Sequence, residues 1–269
     1  MVKPGTIEEA LSMRIGRVPL AGGTDLMVKG FDREPLYIGH LEAIKGIRFK
    51  KDSIIIGAAT TLNEILPHPL VPTVLKQAIH LMASPGIRSM ATIGGNVCNS
   101  SPAGDTLPPL YLLDAQLILV SKGGERSVPV DRFIKGPGEN TMGEDELLKE
   151  IVIPLNNLTG SGFRKVGTRN ALALSKASIA FGYKLEKGRL LDIRISLGAV
   201  APTPIRSKSI EGFLVETYPW SEEDIGTALE GYNKLIQPIT DQRSTAEYRR
   251  WVSLSLIKWF LEGVGHGNG

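Results

Sequence analysis

The stretch ATIGGNVCNSSPAGDTLPPL, residues 91–110, decides the fold. A Gly-Gly pair is followed there by small polar residues and then by a predicted helix over 106–114. Glycine has no Cβ and tolerates positive φ, so backbone N–H groups at such a pair can approach an anion closely. LAGGTDL (20–26) also contains a Gly-Gly pair followed by a small polar residue, and it comes directly after a predicted strand. Two such loops favour an extended cradle for a pyrophosphate group.

Neither loop carries a standard nucleotide-binding fingerprint. No GxGxxG follows a predicted strand, and no GK[ST] closes a glycine loop, so the usual NAD and ATP modules lack support. An ordinary tight turn remains the alternative for a single Gly pair. Thr24, Thr92, Asn96 and Asn99 are candidates for additional side-chain hydrogen bonds to a phosphate.

Composition excludes several classes of protein. The chain has 269 residues, with 31 Lys+Arg against 28 Asp+Glu and a net charge of +3. That balance is too close to neutral for an electrostatic nucleic-acid binder. The 42% of hydrophobic and 22% of charged residues are typical of a globular protein and not of a disordered one.

The single cysteine limits the redox chemistry available to this chain. One thiol forms neither an internal disulfide nor a four-cysteine zinc or iron–sulfur site, and the four histidines are scattered. We therefore expect no metal site in this chain. Any redox chemistry then requires a bound organic cofactor or a partner chain.

The sequence predicts a cytoplasmic protein. The opening residues, MVKPGTIEEA, contain no apolar run of the kind found in a signal peptide. The longest apolar stretches, such as 54–56 and 117–120, are far too short to span a membrane.

The N-terminal half reads as alternating short helices and strands. Thr6 and Glu9 predict a capping box, and Ile7, Ala10, Leu11 and Ile15 would share one face of the helix that follows. Further helices are predicted over 70–82 and 106–114. Strands are predicted over 17–21, 36–40, 53–58, 115–121, 126–130 and 150–155. A loop is predicted over 135–143.

The C-terminal half has a different predicted pattern of secondary structure. NNLTGSG (156–162) is the best linker candidate, so we place the domain boundary near residue 158, with domains 1–158 and 159–269. Antiparallel strands are predicted over 163–201, with a turn at Lys187-Gly188. Helices are predicted over 221–235 and 245–262. The core-facing side of the last helix is expected to consist of Tyr248, Trp251, Val252, Leu256, Trp259 and Phe260.

Together with LAGGTDL, the stretch IRSMATIGGNVCNSSPAGDTLPPLYLLDA (87–115) closely resembles the FAD-binding medium subunit of the molybdenum hydroxylases. That family includes the flavoprotein subunits of xanthine dehydrogenase and carbon monoxide dehydrogenase. The resemblance covers essentially the whole chain and continues through EIVIPL (150–155), FRKVGTR (163–169), SLGAVAPTPIR (196–206) and DQRSTAEYRR (241–250).

The resemblance implies an α+β fold. A PCMH-type FAD-binding domain of two α/β subdomains would occupy 1–158, and an antiparallel-sheet-plus-helices C-terminal domain would occupy 159–269. The cofactor would be FAD. Its contacts would be Pro19, Leu20, Ala21, Gly22, Gly23, Thr24, Asp25 and Leu26 in the first loop, Thr92, Ile93, Gly94, Gly95 and Asn96 in the second loop, and Met82, Asp105, Leu148 and Lys165 elsewhere.

Some of these positions have other interpretations. Met82 stands where xanthine dehydrogenases usually have an aromatic residue. Asp105 would otherwise cap the helix starting at Thr106, and Lys165 would otherwise be a solvated charge on a strand. Arg88, Arg164 and Arg169 are possible charge partners for phosphate or a partner chain, and Cys98 is expected to pack rather than react.

The resemblance also implies the function. Substrate would be hydroxylated at a molybdopterin centre on a large subunit, and electrons would cross two [2Fe–2S] clusters on a small subunit to reach this FAD. The final acceptor would be NAD+, a quinone or O2, and the assembly a dimer of heterotrimers. No residue of this chain would be catalytic in the strict sense. The alternatives are a stand-alone flavoenzyme and a non-catalytic FAD-binding assembly protein.

Overall fold

The computed structural model describes residues 1–155, 157–169 and 173–265. Its helices are α1 (Ile7–Ser12), α2 (Leu26–Lys29), α3 (Leu62–Ile65), α4 (Thr73–His80), α5 (Pro85–Arg88), α6 (Ile93–Asn99), α7 (Leu107–Leu112), α8 (Val130–Phe133), α9 (Lys208–Glu216), α10 (Glu222–Leu235) and α11 (Ala246–Gly265). Its strands are β1 (Arg17–Leu20), β2 (Glu34–Tyr37), β3 (Ile47–Lys50), β4 (Ser53–Gly57), β5 (Gln116–Ser121), β6 (Gly124–Pro129), β7 (Ile134–Gly136), β8 (Glu139–Asn140), β9 (Leu147–Pro154), β10 (Gly160–Val166), β11 (Ala177–Glu186), β12 (Arg189–Gly198) and β13 (Ile205–Arg206).

The chain forms two compact units. Unit 1 comprises Met1–Val71, Ala83–Ser101 and Asp114–Leu155, and unit 2 comprises Pro72–Met82, Pro102–Leu113 and Asn156–Gly269. Within the three described ranges, no helix is long and apolar enough to cross a membrane.

In unit 1, β1 and β2 form a parallel pair connected through α2. The strand predicted at 36–40 is shifted, because Glu34 and Pro35 already pair with Arg17 and Val18. The first glycine loop follows the carboxyl end of β1, which is where open α/β sheets bind their ligands.

The larger sheet of unit 1 is antiparallel, in the order β3-β4-β9-β5-β6. It contains the strands predicted at 53–58, 115–121, 126–130 and 150–155. The segment predicted as a loop at 135–143 instead contains β7 and β8, which pair with each other. Gly138, at φ +78°, supplies the left-handed conformation between these two strands.

The first helix confirms only part of its predicted pattern. The Thr6 side chain accepts a hydrogen bond from Glu9 N at 3.2 Å. The Glu9 carboxylate, however, accepts from Gly5 N at 2.6 Å and not from the capping residue. Leu11 is buried, whereas Ile15 lies beyond the helix and is 69% exposed, so its assignment to the buried face was wrong.

The helix predicted over 70–82 is α4, which is shorter at both ends. In unit 2 it packs on β10 through a face that includes Leu75 and Ile79, both fully buried. Phe163 N in β10 donates a hydrogen bond to Gln77 Oε1 at 2.8 Å, which ties this helix to the sheet.

Unit 2 is built on the four-stranded antiparallel sheet β10-β11-β12-β13. The predicted turn between β11 and β12 is present, and Lys187 (φ 51°) and Gly188 (φ 78°) both have positive φ, as a two-residue hairpin turn requires. The predicted linker at 156–162 overlaps β10, which begins at Gly160. Asn156 lies outside the described residues.

Helix α7 is bound to the sheet by two arginines. Arg206 Nη1 donates to the carbonyl oxygen of Tyr111 at 2.8 Å, and Arg194 Nη1 donates to that of Leu112 at 3.0 Å. These contacts satisfy carbonyl groups that a helix end leaves unpaired. Arg206 also pairs with the buried Glu211 of α9, a helix that was not predicted.

The aromatic stripe on α11 faces the core only in part. Val252 and Phe260 are buried in unit 2, as predicted, and Leu256 is half-buried. Trp251 is 63% exposed and Trp259 38% exposed, so their assignment to the core face was wrong, as was that of the exposed Tyr248. At about 100° per residue, the nine residues from Trp251 to Phe260 place these two side chains on opposite sides of the helix, so they cannot share one buried face.

Candidate FAD site

The first glycine loop lies hard against the chain segment that precedes the second loop. A Cβ on Gly22 would stand 1.9 Å from the carbonyl oxygen of Met90, an approach that no other residue permits. Gly23 has φ +69°, in the left-handed region that favours glycine. Both glycines are therefore required by the backbone path of this loop.

The first loop also offers free hydrogen-bond donors. In the described part of the chain, the backbone amides of Gly22, Gly23 and Thr24 donate no hydrogen bond. Immediately afterwards, Met27 N bonds to Gly23 O at 2.9 Å as α2 begins. Partly buried amides without acceptors carry a free-energy cost, and successive N–H groups of this kind bind phosphate oxygens.

The second loop differs from the sequence expectation. Its Gly pair lies within the first turn of α6, which starts after Thr92, and not before the helix. The Thr92 hydroxyl accepts from Gly95 N at 3.1 Å, and Gly94 N donates to Ala58 O at 2.9 Å. Since Ile93 N is bonded to Thr60 O at 3.1 Å, the first three amides of this helix all have partners within the chain.

The two glycines of the second loop have different roles. A Cβ on Gly94 would stand 2.6 Å from both Cβ and the carbonyl oxygen of Ala58, so this glycine lets α6 approach the end of β4. A Cβ on the exposed Gly95 would meet only the Thr92 hydroxyl oxygen, at 2.9 Å. Gly95 thus leaves space for a ligand at the exposed surface of the first turn of α6.

The structure brings the two loops together in unit 1. Besides the contact of Gly22 with Met90, a lysine that the sequence analysis missed links the segments after each loop. Lys29 Nζ lies 2.6 Å from Asp25 Oδ2 and 3.1 Å from Asn99 Oδ1. The Asp25–Lys29 spacing of i,i+4 on a helix was the available signal.

A second group of predicted residues is assembled in unit 2. Asp105 is 4% exposed, and its Oδ2 lies 2.9 Å from Lys165 Nζ. Its Oδ1 accepts a hydrogen bond from Ser175 Oγ at 2.5 Å, and Lys165 Nζ also donates to Ala173 O at 3.0 Å. Burial raises the pKa of the Asp105 carboxyl above its ordinary value, and the Lys165 ammonium and the Ser175 hydroxyl oppose that rise.

These contacts rule out the ordinary interpretations of both residues. The residue at the N-cap of α7 is Thr106, and both Asp105 oxygens are held by Lys165 and Ser175 rather than by helix amides. Lys165 is not a solvated charge, because its side chain is only 8% exposed. Ser175 was missed by the sequence analysis, since a serine 70 positions from Asp105 gives no local signal.

The other predicted contacts are distributed over both units. Met82 follows α4 in unit 2 and is half-buried, whereas Leu148 is buried in β9 of unit 1, opposite Leu119. Their contact with FAD stays a prediction. Arg164 places its guanidinium 3.6 Å from the ring centroid of Trp259, and so has a packing role.

Two family models match the chain. One, described as the FAD binding domain in molybdopterin dehydrogenase, covers residues 1–156, and the other, the CO dehydrogenase flavoprotein C-terminal domain, covers residues 163–264. The first match alone spans more than half of the chain.

Similar proteins agree with these models. The xanthine dehydrogenase FAD-binding subunit of Escherichia coli O157:H7 is 30% identical, over 93% of this chain and 89% of its own length. The glyceraldehyde dehydrogenase medium chain of Sulfolobus acidocaldarius is also 30% identical, over 93% and 92%. A structure of carbon monoxide dehydrogenase from Hydrogenophaga pseudoflava superimposes with a TM-score of 0.90 at 26% identity, over 96% of this chain and 94% of that one. The chain therefore belongs to the FAD-binding medium subunits of the molybdenum hydroxylases, the family of xanthine dehydrogenase and carbon monoxide dehydrogenase.

Proposed function

We propose that this chain binds FAD through its two glycine loops, with Asp105 and Lys165 as further contacts, and relays electrons between partner [2Fe–2S] clusters and a final acceptor. The observation that carries the proposal is the set of free amides at Gly22, Gly23 and Thr24, beside a contact that only glycine allows. When bound, FAD supplies the chemistry that couples one-electron and two-electron transfer.

The first loop binds the cofactor through hydrogen bonds, and the second loop leaves space for it. The amides of the first loop donate to the pyrophosphate, and the positive φ at Gly23 holds them in place. The second loop contributes mainly space at Gly95 and the polar side chain of Asn96, because the first amides of α6 are already bonded. The remaining proposed contacts are Pro19, Leu20, Ala21, Asp25, Leu26, Met82, Thr92, Ile93, Gly94 and Leu148.

The buried Asp105–Lys165 pair supplies a fixed charge distribution. A carboxylate held on one side by an ammonium and on the other by a hydroxyl cannot rotate freely, so its orientation does not change when a ligand binds. We propose that this pair faces the flavin part of the cofactor, where its charges influence the reduction potential and exclude water.

The partners follow from the family. Relatives are named as medium chains or FAD-binding subunits of dehydrogenases. We propose a large molybdopterin subunit and a small [2Fe–2S] subunit for this chain, arranged as a dimer of heterotrimers in the cytoplasm. NAD+, a quinone and O2 are the candidate acceptors, and we place the boundary between the two sequence domains near residue 158.

The experiment is co-purification followed by anaerobic reduction. The chain, tagged and expressed with its neighbouring genes, is expected to bring down a molybdopterin chain and an iron–sulfur chain and to show oxidised flavin absorption. Substrates of the complex should bleach that absorption only when the partners are present. Bleaching by substrate without partners would instead indicate a stand-alone flavoenzyme, and flavin that partners never reduce would indicate an assembly protein.

A further inference from the structure

The carboxylate of Asp105 is held at both oxygens by side chains of unit 2. Lys165 Nζ lies 2.9 Å from Oδ2, and Ser175 Oγ donates to Oδ1 at 2.5 Å. Asp105 is 4% and Ser175 1% exposed, so water does not substitute for either donor. An ionised carboxylate only accepts hydrogen bonds, so the serine hydroxyl must be the donor.

The two donors are not equivalent. Lys165 is a charged partner that also bonds to Ala173 O at 3.0 Å, and it compensates the negative charge of Asp105. Ser175 is neutral and has no effect on the net charge of the cluster. Its contribution is the direction of the second carboxylate oxygen, because a carboxylate bonded at one oxygen still turns about its Cβ–Cγ bond.

We propose that Ser175 is a positioning residue for the FAD site, which fixes the Asp105 carboxylate and keeps it ionised. This inference rests on the proposed function, in which Asp105 faces the cofactor. Ser175 lies just before β11, and the sheet pairing that begins at Ala177 holds its backbone in place.

Loss of the hydroxyl changes the state of Asp105. In Ser175→Ala, Oδ1 remains buried without a donor, and the pKa of Asp105, already raised by burial, rises further. Lys165 is the charged group that faces Asp105 in the described chain, and it stays in place. A carboxylate that takes up a proton no longer opposes the addition of electrons to a nearby flavin.

The test compares FAD binding and midpoint potential in matched serine variants. Ser196 is the control, because it is fully buried in β12 of the same unit and its Oγ has no hydrogen-bond partner in the described ranges. Titration of the apoprotein with FAD is expected to show about tenfold weaker binding for Ser175→Ala, because a carboxylate without this hydrogen bond must be ordered when the cofactor binds. Its midpoint potential should exceed that of the wild type, by more at pH 6 than at pH 8. Ser196→Ala should match the wild type.

The outcomes separate this inference from the proposed function. If Asp105→Asn shifts the affinity and potential but Ser175→Ala behaves like Ser196→Ala, the positioning role is overturned and the FAD site stands. If neither Asp105→Asn nor Ser175→Ala has an effect, Asp105 does not face the cofactor. Should Ser175→Ala fail to fold, Ser175→Cys, whose thiol is a weaker donor, should shift the affinity and the potential in the same direction, and a Ser175→Cys protein that matches the wild type would overturn the positioning role.

Discussion

Gly22 lies so close to Met90 that a methyl group on its α-carbon would stand 1.9 Å from the Met90 carbonyl oxygen. This contact joins the chain after β1 to the chain before α6, and so sets the spacing of the two loops of the proposed FAD site. The position of one loop therefore depends on the other.

Gly22→Ala is expected to destabilise unit 1 and to abolish FAD binding. The added methyl group must displace backbone, and such strain typically costs about 2 kcal/mol or more. Calorimetry and FAD titration of the variant measure both effects. Gly226→Ala is the control, because an added Cβ there meets nothing within 4 Å and the residue lies inside α10. A Gly22→Ala protein with wild-type unfolding and affinity would contradict the assigned contact.

Gly95→Val is expected to prevent FAD retention while leaving the protein folded. Its Cβ would stand 2.9 Å from the Thr92 hydroxyl oxygen and approach nothing else, so only that side chain must shift, and the branched side chain fills the space assigned to the cofactor. Flavin stoichiometry after purification measures the effect, with Gly226→Val as the matched variant. Full flavin content in Gly95→Val would remove the second loop from the site.

Asp105→Asn is expected to lower the free energy of unfolding by about 3–5 kcal/mol, because it leaves the Lys165 ammonium buried without a counter-charge. Lys165→Met should cost a similar amount for the converse reason. The double variant should lose less than the sum of the two, which a double-mutant cycle by chemical denaturation measures. Additive losses would show that the 2.9 Å ion pair carries no coupling.

Cys98 is expected to resist alkylation in the folded protein. Desolvation raises the pKa of Cys98 to about 12, although the Arg14 guanidinium opposes the rise. The folded state keeps the proton while the unfolded thiol, with a pKa of about 8.5, loses it. This contribution to stability is therefore complete below pH 8.5 and declines as the pH rises.

The measurement for Cys98 compares the wild type with Cys98→Ala. Between pH 7 and pH 10 the wild type should lose roughly 2 kcal/mol more unfolding free energy than the variant. Rapid labelling of the folded protein by iodoacetamide at pH 8 would contradict the shift.

Local chemistry explains what could be predicted from the sequence. The Lys187-Gly188 turn was recognisable because few residues accept positive φ at both turn positions. The strands β5 and β6 were recognisable from apolar residues on each side of the Gly123-Gly124 pair. Helix α9 was not predicted, because its start lacks a capping box. Ser207 caps the helix, but no acidic residue stands three positions later, and two prolines precede it.

Contacts between distant residues explain what could not be predicted. The glycines of the second loop were expected to offer their amides, but the pairing of Gly94 N with Ala58 O depends on the approach of a strand 36 positions earlier. Ser175 bonds to Asp105 across 70 positions, and nothing near either residue indicates the other. The error at Trp251 is of another kind, because at about 100° per residue Trp251 and the buried Phe260 lie on opposite sides of a helix, and the spacing alone could have separated them.

Unit 2 collects residues from three separate stretches of chain. During synthesis, α4 and α7 leave the ribosome well before the strands on which they pack, β10 for the first and β11 and β12 for the second. Until those strands have been synthesised, apolar side chains that the folded unit buries, such as Leu75 and Ile79, remain exposed to water. The nascent chain therefore passes through a long interval in which it attracts chaperones and is prone to aggregation, and a fragment truncated near residue 158 would stay in that state.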